Sequence, residues 1–380
     1  MSNAAPFPCT RHHASLLLLA LALTTTAGGA LAAAPSAPAH SVSSSAVHQM
    51  RIDVARALAQ QARPYDRSRS ANALHATTSM HMQLPQELDA FITEQDRLIR
   101  RAKGLPEGRG LLRLETPEGA MPMQEALEHP ALRIATEGDD DQRSEGNLVA
   151  FDRQGTQHLL SSRTLAGEPV VVLRMDTRQA MREGMAVVND TLRGMHLQPA
   201  QSTATAPADF TRLDSIHLDF DHEPDTKGAA EVFAVISGFQ TANDKPTVST
   251  LEMPWLDHDK RTYTPGQAVI VWDGYRFDAA NIQLFEDDGD TNYKALAEAL
   301  GNAATLAVNA TAPEFSAIPL IANAIIKAIP DYAFTDDNDY MDSFYVIERG
   351  RTYRDLKGAA GNATVTLTPH TFGRRDDTGK

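Results

Sequence analysis

Asn281-Ile-Gln-Leu-Phe285 runs without a break into Glu286-Asp287-Asp288-Gly289-Asp290, an apolar, strand-like run that ends on four acids and a glycine. The juxtaposition recurs downstream, where Asp336-Asp337-Asn338-Asp339, with Asp342 just beyond, leads into Phe344-Tyr-Val-Ile347. A third acidic segment, Asp219-Phe-Asp221-His-Glu223-Pro-Asp225, joins the alternating run 213–220 to the apolar run 231–239. Short apolar runs bounded by acidic turns predict strands. Loops that follow strands far apart in sequence can meet at one end of a β-sandwich.

Oxygen-rich loops of this kind suit Ca²⁺, which takes six to eight oxygen ligands at roughly 2.3–2.6 Å in a tolerant geometry. The candidate ligands are Asp219, Asp221, Asp287, Asp288, Asp290, Asp336, Asp337 and Asp339. The plain alternative is a set of solvated turns, where Asp, Asn and Gly are favoured for backbone reasons alone. Convergence distinguishes the two, because carboxylates packed together without a cation repel one another. The loop is no EF-hand: Glu298 falls at the twelfth position from Asp287, but the glycine at the sixth is missing.

The N-terminus reads as an export signal. Arg11 is followed by the apolar core Leu16 to Leu23, and Ala30-Leu31-Ala32 has the small-x-small form of a cleavage site. The core is far short of the ~20 residues that span a bilayer, and no later segment is long and uncharged enough. The expected product is periplasmic or secreted, without a transmembrane segment. Cys9, the single cysteine, leaves with the signal, so the mature chain has neither disulfide nor thiol. Loss of Arg11 takes the formal net charge from -14 to -15. A surface so acidic repels phosphate backbones and anionic lipid, which disfavours a nucleic-acid or polybasic membrane role.

Residues 33–45 are Ala-, Pro- and Ser-rich and form a flexible lead-in. Val47, Met50, Val54 and Leu58 predict an amphipathic helix with Arg51, Asp53 and Arg56 outward. A second helix is predicted from Pro85 to Lys103, stopped at Gly104. Its Arg97, Arg100, Arg101 and Lys103 suit the negative end of the helix dipole. The stretch 147–160 reads as a hairpin turning at Gly155, and Pro169-Val-Val-Val-Leu-Arg174 as a buried strand. The Pro-, Ala-, Ser- and Thr-rich tract 198–209 reads as a linker between a helical plus hairpin domain, 46–197, and a strand-rich domain, 210–370, with 371–380 as a tail. Within the latter, the Ala-, Leu- and Ile-rich stretch 293–329 predicts one or two inserted helices.

Gln283-Leu-Phe-Glu-Asp-Asp-Gly289 and Thr335-Asp-Asp-Asn-Asp-Tyr-Met-Asp-Ser-Phe344 resemble the calcium-loop strands of C2-like sandwiches, over residues 210 to 368. The helical insertion departs from a simple C2 domain. The chain also resembles a family of exported bacterial proteins described as domain of unknown function 3103, through Val149-Ala-Phe-Asp-Arg-Gln-Gly155, Glu168-Pro-Val-Val-Val172 and Asp339-Tyr-Met-Asp-Ser-Phe-Tyr345. That resemblance implies export and supplies no mechanism.

His217-Leu-Asp219-Phe-Asp221-His222 is similar to the His-x-His-x-Asp-His segment of metallo-β-lactamase-like hydrolases, with Asp219 in place of the second histidine. Zn²⁺ with three protein ligands and an open position for water is the chemistry that resemblance implies. On a strand, however, His217, Asp219 and Asp221 share one face while His222 needs a turn. The chain has no His-Glu-x-x-His helix, no Gly-x-Ser-x-Gly elbow and no phosphate-binding glycine loop. Trp255 and Trp272 read as core before carbohydrate or lipid contact. Asn189, Asn309 and Asn362 begin glycosylation-like triplets that read as coincidence. The sequence thus predicts an α+β protein: N-terminal helices and a β-hairpin region, then an antiparallel, C2-like β-sandwich with a helical insertion. Its expected role is calcium-associated binding or structure at a lipid, glycan or protein surface. A secreted metal-dependent hydrolase is the alternative.

Overall fold

The computed structural model describes residues 44–62, 86–138, 147–198, 208–221, 230–240, 245–287, 289–309, 317–328 and 340–372. In chain order the elements are α1 (Ser44–Gln61), α2 (Gln86–Ala102), β1 (Leu112–Glu115), α3 (Met123–Glu128), β2 (Arg133–Glu137), β3 (Asn147–Phe151), β4 (Gln157–Ser161), β5 (Val170–Met175), α4 (Thr177–Gly194) and β6 (Ala208–Leu218). They continue with β7 (Val232–Phe239), β8 (Pro246–Glu252), β9 (Thr262–Tyr263), β10 (Gln267–Val271), β11 (Ala279–Glu286), α5 (Tyr293–Asn309), α6 (Ile318–Ala328), β12 (Tyr340–Glu348), β13 (Tyr353–Lys357) and β14 (Ala363–Phe372). The protein is mixed α+β, with helices and several antiparallel sheets. None of its described helices is long and apolar enough to cross a membrane.

The first sheet has the order β1-β5-β2-β3-β4. Its β3–β4 pair is the hairpin the sequence predicts: Asp152 Oδ1 accepts from Gln154 N and Thr156 N at 2.9 Å, and Gly155 takes a φ of +80°. The pairing of β2 with β5 is parallel, and β5, at the heart of this sheet, is almost wholly buried. That burial fits the continuous apolar run Val170 to Leu173.

The central sheet, β12-β11-β7-β8, is antiparallel throughout. Every residue of β7 and β11 is buried, so both faces of these strands are covered. Strand alternation divides them. Val232, Ala234, Ile236, Ile282 and Leu284 face Leu213, Ile216, Val365 and Leu367 of the front sheet, β10-β6-β14-β13, on whose β6 the short β9 also pairs. Phe233, Val235, Phe239 and Phe285 face the other way, into a cluster with α4, α5 and α6. The rings of Phe233 and Phe285 stack there at 5.6 Å. Each such side chain contributes about 1.5–3 kcal/mol by leaving water. Trp272 belongs to the layer between the two sheets, its Nε1 donating to Thr211 Oγ1 at 3.0 Å.

The cluster behind the central sheet extends to Val54 and Leu58 of α1, Ile92 and Ile99 of α2, and Val171 and Leu173 of β5. Residues on both sides of the 198–209 tract therefore share one apolar core. The chain divides into Met1–Ala39, outside the described residues, and His40–Lys380, which holds every element named here. The stretch expected to be an export signal, its expected cleavage site and Cys9 also lie outside the described residues. Two sequence expectations are corrected by packing. Arg51 points inward rather than outward, and Arg100 and Lys103 are buried rather than solvated at a helix end.

Candidate functional site

Register decides what gathers at the end of the central sheet where β11 stops. Val232, at the start of β7, pairs with Glu286, and Tyr340, at the start of β12, pairs with Phe285. The start of β7, the end of β11 and the start of β12 therefore lie at one end of this sheet. In sequence, an acidic stretch precedes or follows each of them. Asp288, Asp336, Asp337, Asp339 and His222 lie outside the described residues.

Asp287 and Asp290 are there, and both are buried. The oxygen atoms of their loop converge on a cation that the chain itself supplies. Lys103 has no solvent exposure, and its Nζ donates to Gly289 O at 2.6 Å and to Thr291 O at 3.1 Å. It also lies 4.9 Å from the centre of the Tyr293 ring, a cation–π distance. Burial pulls its pKa below the ordinary lysine value, while the charges of Asp287 and Asp290 oppose that fall and Arg51 adds to it. Tyr293 donates its hydroxyl to Asp287 Oδ2 in a short hydrogen bond. Asp287 Oδ1 accepts from Gly289 N at 3.0 Å. Burial, then the nearby Asp287 charge, push the Tyr293 phenol far above its usual range.

Local structure explains the cage. The loop closes the C-terminus of α2, where Asn292 Nδ2 donates to Ala102 O at 2.9 Å and Tyr293 N to Lys103 O at 3.0 Å. The same Asn292 accepts Ala295 N through Oδ1 and so starts α5. Gly104 bends the chain away from α2 with a φ of +68° and lies so near Lys294 that a Cβ would meet it at 2.9 Å. One residue pair thus ends a helix, begins another and sets the ammonium among loop carbonyls.

A ring of further charges surrounds the cage. Arg51 of α1 bonds Glu137 of β2 at 3.2 Å and lies 3.5 Å from Asp290. Arg174 of β5 bonds the other oxygen of Glu137 at 2.8 Å and Glu115 of β1 at 3.4 Å. Glu231, immediately before β7, accepts Thr177 Oγ1 at 2.8 Å, and its carbonyl accepts Asp287 N at 2.9 Å. Arg178 Nε is 3.9 Å from it. Burial raises the Glu231 carboxyl to about 7, helped by the charges of Asp287 and Glu137 and opposed by Thr177 and Arg178. A carboxyl that titrates near neutrality can hold or release a proton at working pH.

A second buried network lies along α2. Arg100 bonds Asp96 at 3.1 Å, Glu183 of α4 at 2.5 and 3.3 Å, and the carbonyls of Pro106 and Arg109 at 3.3 and 3.1 Å. Its five donors are all used. Glu183 in turn is held below the usual carboxylate range, first by its hydrogen bond from Arg100.

The remaining sequence candidates go elsewhere. Asp219 is exposed at the end of β6, 3.4 Å from His217 Nε2, and His217 Nδ1 is 3.4 Å from Thr262 Oγ1. Asp221 is buried and accepts Asp259 N at 3.0 Å. Among the described residues no three of His, Cys, Asp and Glu are grouped as metal ligands. Asp342, next to the acidic segment in sequence, points between the sheets. It accepts Ser343 N and Ala360 N at 2.8 Å and Ala363 N at 2.6 Å, fastening the β13–β14 turn to β12. Gly358 is required beside it, since a Cβ there would overlap the carboxylate. Asn189 and Asn362, read as chance triplets, pair both ends of their amides with the backbones of Thr250 and Phe220.

A model of the family described as Protein of unknown function (DUF3103) matches residues 41–375, most of the chain. The chain belongs to that family. No curated protein and no solved structure matches it.

Proposed function

We propose that this is an exported binding or structural protein of the periplasm or the cell exterior. In this reading the acidic end of the central sheet takes Ca²⁺ and orders loops that meet a surface partner, as in C2-like sandwiches. The observation that supports it is the register: Val232 opposite Glu286 and Phe285 opposite Tyr340 bring the start of β7, the end of β11 and the start of β12 to one sheet end, and the sequence beside each of these is acidic. The apolar layer shared by the front and central sheets supports the sandwich half of the reading. The charge of Lys103 already opposes those of Asp287 and Asp290, and Arg51 lies 3.5 Å from Asp290. The carboxylates left to an added cation are therefore Asp288, Asp336, Asp337 and Asp339, with Asp219 on the β6 side. A role resting on surface loops also accords with a site whose charges are otherwise internally matched.

The test is thermal unfolding of the chain from residue 33 in EGTA, then with Ca²⁺ or Zn²⁺. A cation present at a hundred times its Kd stabilises by about 2.7 kcal/mol, which is a shift of several degrees. The expected rise comes with Ca²⁺ and is lost in an Asp336→Asn, Asp339→Asn double variant but kept in Asp287→Asn. No shift with Ca²⁺ removes the calcium reading. A rise with Zn²⁺ alone, lost in His217→Ala, moves the assignment to a metal-dependent hydrolase using His217, Asp219, Asp221 and His222.

A further inference from the structure

The face of the central sheet that looks toward the helices carries Phe233, Val235, Phe239 and Phe285, with polar residues between them at its middle. There Ser237, Asn281, Gln283 and Ser343 form a contiguous polar patch, with none of the four more than 1% exposed. Asn281 pairs with Ser237 across β7, and Gln283 with Ser343 across β12. Helix α6 lies over them, carrying Ile318, Ile321 and Ile325 into the same cluster as Val235 and Phe285. A polar patch beneath an apolar helix is the reverse of what packing alone selects.

Three of the four side chains have partners. Asn281 donates to Ile318 O at 2.7 Å and to Ser237 Oγ at 3.3 Å, and accepts Val346 N at 3.1 Å. Ser343 Oγ accepts the Tyr340 hydroxyl at 2.8 Å. Gln283 is different: neither its Oε1 nor its Nε2 has a hydrogen-bond partner among the described residues. An unpaired buried amide is rare in folded proteins, and each instance calls for a specific explanation. A second anomaly lies on the same patch. Ala280 pairs with Ile347 and Ile282 with Phe344, so β12 bulges opposite Asn281, and Val346 in that bulge has a φ of +56°. For a β-branched residue that conformation is strained, and bulges and strain of this kind gather beside binding sites.

We propose that this patch is a ligand site covered by α6, which takes a small neutral molecule bearing an amide group. An amide matches Gln283 in both directions: its carbonyl accepts from Nε2 while its N–H donates to Oε1. The four patch side chains carry no charge, which selects a neutral ligand, and Val235, Phe285 and Ile321 supply an apolar wall for the rest of it. Binding requires α6 to move. That movement breaks two side-chain bonds to the sheet, Asn281 Nδ2 to Ile318 O at 2.7 Å and, at the surface, the Tyr345 hydroxyl to Asn323 Oδ1 at 3.1 Å.

The test uses the ¹⁵N-labelled chain and isobutyramide as probe, with methyl isobutyrate, of similar shape but without N–H donors, as its control. The Gln283 side-chain NH₂ resonance is identified by its loss in Gln283→Met. The expected result is a saturable shift of that resonance and of the α6 amides with the amide, at least about tenfold weaker with the ester, and absent in Gln283→Met. Equal binding of amide and ester, or shifts that stay linear in concentration, would overturn the proposal and leave Gln283 solvated by trapped water only. Read on the α6 backbone amides, the amide–ester comparison needs no variant, so it stands even where Gln283→Met fails to fold.

Discussion

Glu231→Gln should stabilise the protein at neutral and alkaline pH and leave it unchanged in acid. The carboxyl is buried and titrates at about 7 in the folded chain against an ordinary 4.5. Between those two values the folded state keeps a proton that the unfolded state releases, so stability falls as pH rises through the window. Below 4.5 both states are protonated and nothing is lost. Above 7 both are ionised, and the folded chain bears the whole penalty of a buried charge beside Asp287 and Glu137. Two and a half units at 1.36 kcal/mol each amount to about 3 kcal/mol. Glutamine keeps the acceptor for Thr177 Oγ1 and carries no charge. It gives up only the attraction of Arg178, whose side chain is half exposed and contributes about 0.2–1 kcal/mol.

The assay is urea unfolding of the parent and of Glu231→Gln at pH 4, 5, 6, 7 and 8. The variant's advantage should be near zero at pH 4 and grow through pH 6 to about 2–3 kcal/mol at pH 8. A difference that does not change with pH, or a parent more stable than the variant at pH 8, refutes the reasoning. Either result would mean that Glu231 is ionised in the folded state at low cost, through water or through Arg178.

Lys103→Met removes the ammonium, leaving Asp287 without a facing cation and two loop carbonyls without their donor, while Asp290 keeps Arg51. Breaking a buried pair from one side costs about 3–5 kcal/mol. Combining it with Asp287→Asn should recover part of that loss in a double-mutant cycle read by urea midpoints, and strict additivity would count against a shared cage. Asp342→Ala orphans three backbone N–H groups at about 1–3 kcal/mol each, so its melting point should fall far below that of Asp219→Ala, an exposed control worth about 0.5 kcal/mol at most. Equal melting points would show that the β13–β14 turn holds without Asp342.

Much of the architecture was legible because it is written in periodicity. The runs at 47–58, 88–99, 170–173, 213–218, 232–239 and 281–285 became α1, α2, β5, β6, β7 and β11. Strand β8 was not legible: Pro246-Thr-Val-Ser-Thr-Leu-Glu252 has little apolar alternation and begins with a proline, tolerated here at the first residue of an edge strand. The parallel pairing of β2 and β5 depends on long-range contacts that no local pattern encodes.

The cage was half legible. The acidic loop announced a cation, but the candidate in the structure is a lysine nearly two hundred residues earlier, read from sequence as a partner of the helix dipole. A local signal was available. Leu88, Ile92, Asp96, Ile99 and Lys103 recur at spacings of four, four, three and four, so two charges occupy the apolar stripe of α2. Charges placed on a buried stripe must find partners inside. The stripe could say that Asp96 and Lys103 go in, but not that Lys103 would meet the loop after β11. Nor could it separate Asp342 from the acidic segment beside it, because what distinguishes a backbone acceptor from a metal ligand is which face of β12 it takes. A one-residue bulge decides that. In this fold the described acidic residues near that sheet end thus divide between internal neutralisation by Lys103 and Arg51 and backbone fastening by Asp342.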